Sequence, residues 1–218
     1  MQTLVFASQK GGGGKTTLSG HIAVEAERQG KHGSVVMIDM DPQASLTGWF
    51  RERSSDTPVM VRILPEGLGA TLSELRKSGI GLVVIDTPPA ITESIRETCR
   101  MADLVVVPTK PSPHDLRAVG ATVDIVDSVR RPMVFVVNQA TQRARITADV
   151  AVSLSQHGTV APVTIHHRVD FPTSMIDGRV VFELDAESKS AAEITTLWNY
   201  LAARMEKVVA NGTTNISA

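Results

Sequence analysis

The chain has 218 residues, of which 42% are hydrophobic and 21% are charged, a composition typical of one medium-sized globular domain with a sizeable core. Its formal net charge is −1, so nucleic-acid binding would need a local basic patch rather than overall positive charge. The single cysteine, Cys99, excludes a disulfide framework within one chain, and we expect it to be a packing residue of a cytoplasmic protein. We expect neither a signal peptide nor a membrane span, because the chain begins directly with a predicted strand and lacks a long apolar run.

The first predicted strand, residues 3–7, runs into a glycine-rich stretch. Residues 10–17 read Lys-Gly-Gly-Gly-Gly-Lys-Thr-Thr, and residues 15–29 have the apolar spacing of a helix. Glycines let successive backbone N–H groups turn toward one phosphate, and a helix start adds the positive end of its dipole. This order predicts a phosphate-binding loop in which Lys15 reaches the β- and γ-phosphates and the Thr16 hydroxyl binds Mg²⁺. A flexible glycine-rich turn is the alternative.

A second lysine on this loop departs from the general pattern. The pattern has a glycine six residues before the final lysine, where this chain has Gln9, followed by Lys10. Lys10 has no evident task in its own subunit, since Lys15 already serves the phosphates. Lys10 is therefore either a solvated lysine or a residue that reaches a phosphate across a dimer interface, so that ATP would join two subunits.

Two further predicted strands end in acidic residues. Residues 34–38 lead into Asp39 and Asp41, and residues 81–85 lead into Asp86. In open α/β sheets, ligands bind at the carboxyl ends of the strands. We expect Asp39 and Asp41 to serve Mg²⁺-bound water and an attacking water, and Asp86 to position Mg²⁺ through its water shell. Turn-forming or helix-capping aspartates are the alternative for the first two.

The rest of the chain alternates short apolar runs with amphipathic stretches. This alternation predicts an α/β three-layer sandwich, a mostly parallel twisted sheet with helices on both faces. We expect a single domain over residues 1–210 and a disordered tail at 211–218. The remaining helices are predicted at 43–51, 71–77, 91–101, 112–129, 146–157 and 188–209, with a helical turn at 175–178, and the remaining strands at 59–64 (an edge strand), 103–108, 133–138 and 162–165.

Polar residues near the ends of the later strands are further candidates. Asn138 closes a predicted strand, and its amide can meet the donor–acceptor edge of a purine; a turn-forming asparagine is the alternative. His166 and His167 adjoin on an extended stretch, so their side chains point to opposite faces, which disfavours a metal site there.

Three stretches together resemble a known family. Residues 10–17, Asp-Met-Asp-Pro-Gln at 39–43 and Ile-Asp-Thr-Pro-Pro at 85–89 resemble the deviant Walker A, A′ and B motifs of the ParA/MinD ATPases, with a match across nearly the whole chain. Residues 175–183 are similar to a segment of the small ParF-like partition ATPases (ParA type Ib). The chain departs from the family at Gly13, where relatives usually carry Ser, Val or Thr.

The resemblance implies a P-loop NTPase fold, ATP and Mg²⁺ as cofactors, and weak intrinsic ATP hydrolysis. It implies that Lys10 and Lys15 stabilise charge on the phosphates and that Asp41 orients the attacking water. Thr16 would hold Mg²⁺, with Asp39 and Asp86 in its outer shell. The ATP-binding residues that it implies are Lys10, Gly11, Gly12, Gly13, Gly14, Lys15, Thr16, Thr17, Asn138, His167 and Arg168.

The resemblance also implies partners. An ATP-bound homodimer would bind non-specific DNA on the nucleoid, and a ParB-like or ParG-like centromere-binding protein would stimulate hydrolysis during plasmid or chromosome segregation. DNA contacts need basic side chains, and a mixed solvated surface is the alternative. The late-chain candidates for these contacts are Arg143, Arg145, Arg168, Arg179 and Lys189.

Two other functions remain open. A relative that positions a protein complex on the nucleoid would carry the same motifs. A MinD-like ATPase that cycles on and off a membrane would need a short basic amphipathic helix at the C-terminus, and residues 211–218 are neither basic nor amphipathic. We therefore expect no membrane partner.

Overall fold

In the computed structural model, which describes residues 1–214, seven strands form one sheet in the order β3-β2-β4-β1-β5-β6-β7. Every neighbouring pair in this sheet is parallel, which confirms the predicted fold class. The strands are β1 Gln2–Phe6, β2 Val35–Asp39, β3 Val59–Arg62, β4 Leu82–Asp86, β5 Leu104–Thr109, β6 Met133–Val137 and β7 Thr159–Val160.

Helices connect the strands and cover both faces of the sheet, and a 3-10 turn, Pro65–Gly67, precedes the third of them. Parallel strands require such crossover connections, because a tight hairpin turn can join only antiparallel neighbours. The helices are α1 Lys15–Gln29, α2 Ser45–Arg51, α3 Leu68–Lys77, α4 Glu93–Arg100, α5 Pro113–Ser128, α6 Arg145–Ser155, α7 Asp170–Ser174, α8 Val181–Leu184 and α9 Lys189–Thr214.

Each face of the sheet carries its own apolar core. Successive strand residues point to opposite faces, so Leu4 and Phe6 pack with Trp198 of α9, whereas Val5 packs with Cys99 of α4 on the other side. Burial raises the pKa of the Cys99 thiol to about 12, and the residue behaves as an ordinary apolar side chain. Because the central strands are buried on both faces, they form the continuous apolar runs by which they were predicted.

The region after α6 differs from the prediction. The last strand is Thr159–Val160 rather than residues 162–165. Pro162 has no N–H to donate. The segment after β7 bonds to β6 at isolated points, from Ala161 N to Phe135 O at 2.8 Å and from Ile165 N to Val137 O at 2.9 Å. The predicted turn of helix at 175–178 is also wrong in position, because α7 ends at Ser174 and α8 begins at Val181.

The C-terminal helix is longer than predicted. α9 continues to Thr214, and the rest of the predicted tail, residues 215–218, lies outside the described residues. Within residues 1–214, no helix is both long enough and apolar enough to cross a bilayer.

The order of the strands determines where a ligand can bind. β1 lies between β4 and β5, so the chain builds the sheet first on one side of β1 and then on the other. Such a switch point opens a crevice at the carboxyl ends of the strands. The glycine-rich loop leaves β1 at this crevice and enters α1.

Candidate nucleotide site

The glycine-rich loop has a backbone that requires glycine. Gly12 and Gly14 adopt left-handed φ values of 75° and 91°, which side chains with a Cβ rarely adopt. A Cβ on Gly14 would lie 2.2 Å from Nδ2 of Asn138, so the loop and the end of β6 fit together only with glycine at this position. Gly13 has less room than the family pattern suggests, because a Cβ there would lie 3.3 Å from the carbonyl oxygen of Pro108.

Two amides from the end of β6 support the loop from the side. Asn138 is buried and donates from Nδ2 to the carbonyl of Gly13 at 2.7 Å. Gln139 donates from Nε2 to the carbonyl of Gly12 at 3.3 Å. The sequence analysis did not identify Gln139. Its contact with Gly12 joins residues that lie far apart in the sequence, so no local pattern indicates it. Asn138 therefore braces the loop, and its contact with a purine remains a prediction.

Lys15 is a buried cation with few contacts. Its side chain lies beside the loop. Within residues 1–214, the hydrogen bonds of Nζ are long, at 3.4 Å to both the carbonyl and the hydroxyl of Ser8. Burial lowers the pKa of Lys15, and the nearby carboxylates of Asp86 and Asp41 oppose that shift. The ammonium is thus available to an anion with stronger acceptors, such as a phosphate.

Thr16 and Asp86 form the polar centre of the crevice. Thr16 donates its hydroxyl proton to Oδ2 of Asp86 at 2.6 Å, while the buried Oδ1 of Asp86 has no hydrogen-bond partner in the part of the chain that the structure describes. Burial raises the pKa of Asp86 to about 7, and the charges of Asp39 and Asp41 add to this effect. A cation at this place would give the unpaired oxygen a partner and would reduce the repulsion among the three carboxylates.

These residues fit Mg²⁺, which takes oxygen ligands and keeps several waters. Along residues 1–214, no group of three or more His, Cys, Asp or Glu side chains is arranged to hold a metal ion by itself. A magnesium ion would therefore be held by Thr16, by water bound to Asp86, and by oxygens of a bound phosphate. The outer-shell role of Asp86 toward Mg²⁺ remains a prediction.

Asp39 has a more structural environment than predicted. It is fully buried. Its Oδ1 accepts the N–H of Asp41 at 3.0 Å, and its Oδ2 accepts the N–H and the hydroxyl of Thr47 at 2.8 and 2.7 Å. Asp39 thus ties the end of β2 to the start of α2. Thr47 is a functional candidate that the sequence analysis missed, since nothing in the local pattern shows that α2 folds back onto Asp39.

Asp41 faces an open cavity of about 700 Å³. Its Oδ1 accepts the N–H of Gln43 at 2.9 Å, which fixes the direction of the carboxylate. A cavity of this volume accommodates a nucleotide-sized ligand. The other residues that line it include Gly11, Gly12, Gly14, Lys15, Thr16, Thr17, Trp49, Pro172 and Ile176.

Lys10 has a partner within its own chain. Its Nζ lies 2.9 Å from Oδ2 of Asp115 at the start of α5, and Ser112 also donates its hydroxyl to this carboxylate. Burial raises the pKa of Asp115, but the hydrogen bonds from Ser112 and Lys10 outweigh it and leave the pKa below its ordinary value. The prediction that Lys10 has no task in its own subunit is therefore wrong. Its contact with a second subunit remains a prediction.

His167 and Arg168 lie at a smaller cavity of about 230 Å³, which Asn138 also lines. Arg168 donates from Nη1 to Oε2 of Glu193 at 2.6 Å, and His166 bonds to Oε1 of the same carboxylate at 2.7 Å. The contact of His167 and Arg168 with a nucleotide remains a prediction.

The candidate DNA-binding residues have different environments. Arg143, Arg145 and Lys189 are exposed. Arg179 is exposed but pairs with Asp177 at 2.7 Å, and the charge of Arg168 is neutralised by Glu193. Among the described residues, the basic candidates without an ion pair thus lie near the start of α6 and the start of α9.

Comparison with known proteins identifies relatives along most of the chain. The family model for the CobQ/CobB/MinD/ParA nucleotide binding domain matches residues 4–181. The "maintenance of carboxysome distribution protein A" of Halothiobacillus neapolitanus is 29% identical over 202 residues, which cover 88% of this chain and 91% of that protein. The chromosome-partitioning ATPase Soj of Thermus thermophilus is 26% identical over 159 residues, which cover 60% of this chain and 63% of that protein.

The fold has solved counterparts as well. A Cyanothece McdA variant in complex with ATP superimposes with a TM-score of 0.71 at 18% sequence identity, over 96% of each chain. The residues that the family model matches, 4–181, contain the glycine-rich loop, both acidic strand ends and Asn138, and this match confirms the family predicted from the motifs. The chain therefore belongs to the CobQ/CobB/MinD/ParA family of nucleotide-binding domains and, within it, to the ParA-like ATPases.

Proposed function

We propose that this chain binds ATP with Mg²⁺ at the loop of residues 10–17, dimerises in the ATP-bound state, and then holds non-specific DNA while it positions a cargo. The contact between Thr16 and Asp86 at 2.6 Å, with an unpaired buried oxygen on Asp86, is the observation that carries the proposal. A hydroxyl and a carboxylate in this arrangement, next to a buried lysine and glycine N–H groups, suit a phosphate and its metal ion.

The residues of the site have distinct tasks in this proposal. Loop N–H groups and the Lys15 ammonium hold the phosphate oxygens, and they need little reorganisation because the loop is already braced by Asn138. Mg²⁺, when bound, draws charge from the phosphate oxygens and fixes their orientation. Asp41 orients the attacking water, for which its half-buried carboxylate at the cavity edge is suitably placed.

Hydrolysis on this arrangement would be slow. Asp41 accepts the N–H of Gln43, and its task in this proposal is to position a water. In one subunit, Lys15 lies beside the carboxylates of Asp41 and Asp86, so the charge that develops on the phosphates during hydrolysis is only partly compensated. A second lysine, supplied by the partner subunit as Lys10, would improve this balance on dimerisation.

Two kinds of cargo are compatible with the relatives. A match over 91% of a carboxysome distribution protein favours a protein assembly as the cargo. The match with a chromosome-partitioning ATPase covers 63% of that protein and supports a segregated DNA molecule as the second candidate. In the first case the activating partner would be an adaptor on the assembly, and in the second a ParB-like or ParG-like centromere-binding protein.

Retention on immobilised DNA tests the proposed cycle. We expect the chain to be retained on non-specific duplex DNA with ATP and Mg²⁺ at low salt, and to be released by ADP or by higher salt, because phosphate contacts release counterions. Anionic lipid vesicles form the second arm. ATP-dependent retention on vesicles but not on DNA would favour a MinD-like membrane cycle, and retention on neither would contradict the proposal.

A further inference from the structure

Lys110 lies at the glycine-rich loop, although no motif marks it. It follows the last residue of β5, at the edge of the sheet where the crevice opens. Its Nζ lies 3.8 Å from the point where a Cβ on Gly12 would stand, and Gly12 lines the 700 Å³ cavity. The Lys110 carbonyl accepts the N–H of Ser112 at 2.8 Å, so the backbone that carries this side chain is fixed.

Lys110 has no counterion of its own. In the described part of the chain its ammonium forms no ion pair, although the residue is half-buried. The carboxylate that it influences electrostatically, Asp115, is already held by Lys10 and Ser112. The Lys110 ammonium is therefore available to an anion that enters the crevice.

The charge balance of the crevice also calls for another cation. The carboxylates of Asp41 and Asp86 both act on Lys15, and the charge of Asp39 acts in turn on Asp86. Lys10 cannot offset them while its charge is neutralised by Asp115. A bound nucleoside triphosphate brings further negative charge to this place, of which Mg²⁺ offsets only part.

We propose that Lys110 is a third phosphate-binding lysine, which donates to β- or γ-phosphate oxygens of a nucleotide bound in its own subunit. It does so while Lys10 remains paired with Asp115, so that nucleotide can bind before the second subunit arrives. This inference rests on the proposed function and adds a residue to that site. The flexible side chain needs only to turn from its place beside Gly12 toward the phosphates.

Calorimetric binding of ATP, ADP and AMP with Mg²⁺ tests the inference. We expect Lys110→Gln to weaken ATP and ADP binding about tenfold, as the loss of one charge-assisted hydrogen bond implies, and to leave AMP binding unchanged. Lys110→Arg should retain most of the ATP affinity. Lys77→Gln, at an exposed lysine in the last turn of α3, is the matched control and should bind ATP like the wild type.

Two outcomes would overturn this role for Lys110. One is ATP affinity of Lys110→Gln within twofold of the wild-type value, and the other is an equal loss for ATP and AMP, which would indicate a structural disturbance of the loop. Failure of the proposed function would give a different result, because the wild-type chain itself would not bind ATP. That result would overturn both the proposed function and the role of Lys110.

Discussion

Lys15 is the residue on which phosphate binding depends most directly. Its ammonium is buried, yet its protein contacts are no shorter than 3.4 Å. A cation held this loosely contributes little to the stability of the free chain, and it gains strong acceptors only when an oxyanion enters the loop. Lys15 therefore contributes to ligand binding and not to the folding stability of the free chain.

We expect Lys15→Ala to weaken ATP binding by at least about 100-fold, because an ammonium that bridges two phosphates is lost. The midpoint of thermal unfolding without nucleotide should change little. Calorimetry with ATP and Mg²⁺ measures the first effect, and Lys77→Ala serves as control. Unchanged ATP affinity in Lys15→Ala would refute the assignment of the phosphate loop.

Asp86 makes the stability of the nucleotide-free chain depend on pH. Its pKa is about 7 in the folded chain, against an ordinary value of 3.8. The folded state therefore holds this proton more tightly than the unfolded state, and stability falls as the pH rises from about 4 to about 7. Above pH 7, the charged carboxylate of Asp86 is buried beside Asp39 and Asp41, and the attraction of Lys15 does not compensate for this unless a metal ion is bound.

Asp86→Asn removes that charge and keeps an acceptor for Thr16. We expect it to be more stable than the wild type at pH 8 by on the order of 1–4 kcal/mol, and similar to it near pH 4.5. Urea unfolding at both pH values, with chelator and without nucleotide, measures the difference. A stability difference that is the same at both pH values would show that burial of the charge is not its cause.

The sequence predicted the chemistry at the residue scale better than it predicted the contacts. The phosphate loop and Asp86 were found because a strand end followed by these residues is a local signal. The hydrogen bonds from Thr47 to Asp39 and from Gln139 to the loop were not found, since they join residues that only tertiary folding brings together. Asp115 had a local signal, because a serine followed three residues later by an acid indicates a helix start, but its ion pair with Lys10 did not.

At the scale of elements, α2 links the acidic strand end to the C-terminal segment. Thr47 holds Asp39 at one end of this helix. At its other end, Trp49 donates from Nε1 to the carbonyl of Arg179 at 3.2 Å, and Arg53 binds the carbonyl of Gly178 at 2.7 Å. α2 thus connects Asp39 with the segment that contains Arg179.

We expect Thr47→Val to destabilise the chain by about 1–3 kcal/mol, because the buried carboxylate of Asp39 loses one donor while the side-chain shape is kept. Urea unfolding of the nucleotide-free chain measures this effect. Thr196→Val, at an exposed position of α9, is the matched control and should lie within about 0.5 kcal/mol of the wild type. If Thr47→Val were as stable as this control, the contact between Thr47 and Asp39 would not stabilise the chain.

The accuracy of the predicted elements follows their burial. β1, β2, β4, β5 and β6 are fully or almost fully buried and appear as apolar runs, which one sequence suffices to reveal. β7 has two residues and α8 has four, too few for a period to emerge. Their positions depend on contacts with β6 and α9 rather than on the sequence of the segment itself.

At the scale of the whole molecule, the account describes a switch in which ATP joins two subunits. The 700 Å³ cavity is open on one side, and Lys10 is 45% exposed even while it pairs with Asp115. Asp115 is buried, but the Lys10 side chain reaches the solvent, so a bound triphosphate on a second subunit would compete with Asp115 for this lysine. The partner that Lys10 contacts would then depend both on bound nucleotide and on dimer formation.

Lys10→Ala tests which of its two partners matters for assembly. We expect this variant to bind ATP with an affinity within a few-fold of the wild type, because Lys15 remains, but to stay monomeric with ATP. Size-exclusion chromatography coupled to light scattering measures the mass, and calorimetry confirms that nucleotide is bound. A persistent dimer in Lys10→Ala would show that this lysine is not needed for dimerisation and acts within its own subunit.

The most direct test of the central claim is the mass of Asp41→Ala in solution, by analytical ultracentrifugation with ATP and Mg²⁺ and separately with ADP. This variant should bind ATP but hydrolyse it very slowly, since the residue that orients the attacking water is absent. The account predicts a stable dimer with ATP and a monomer with ADP. A monomer in both nucleotides, at saturating ATP, would contradict the claim that ATP joins two subunits.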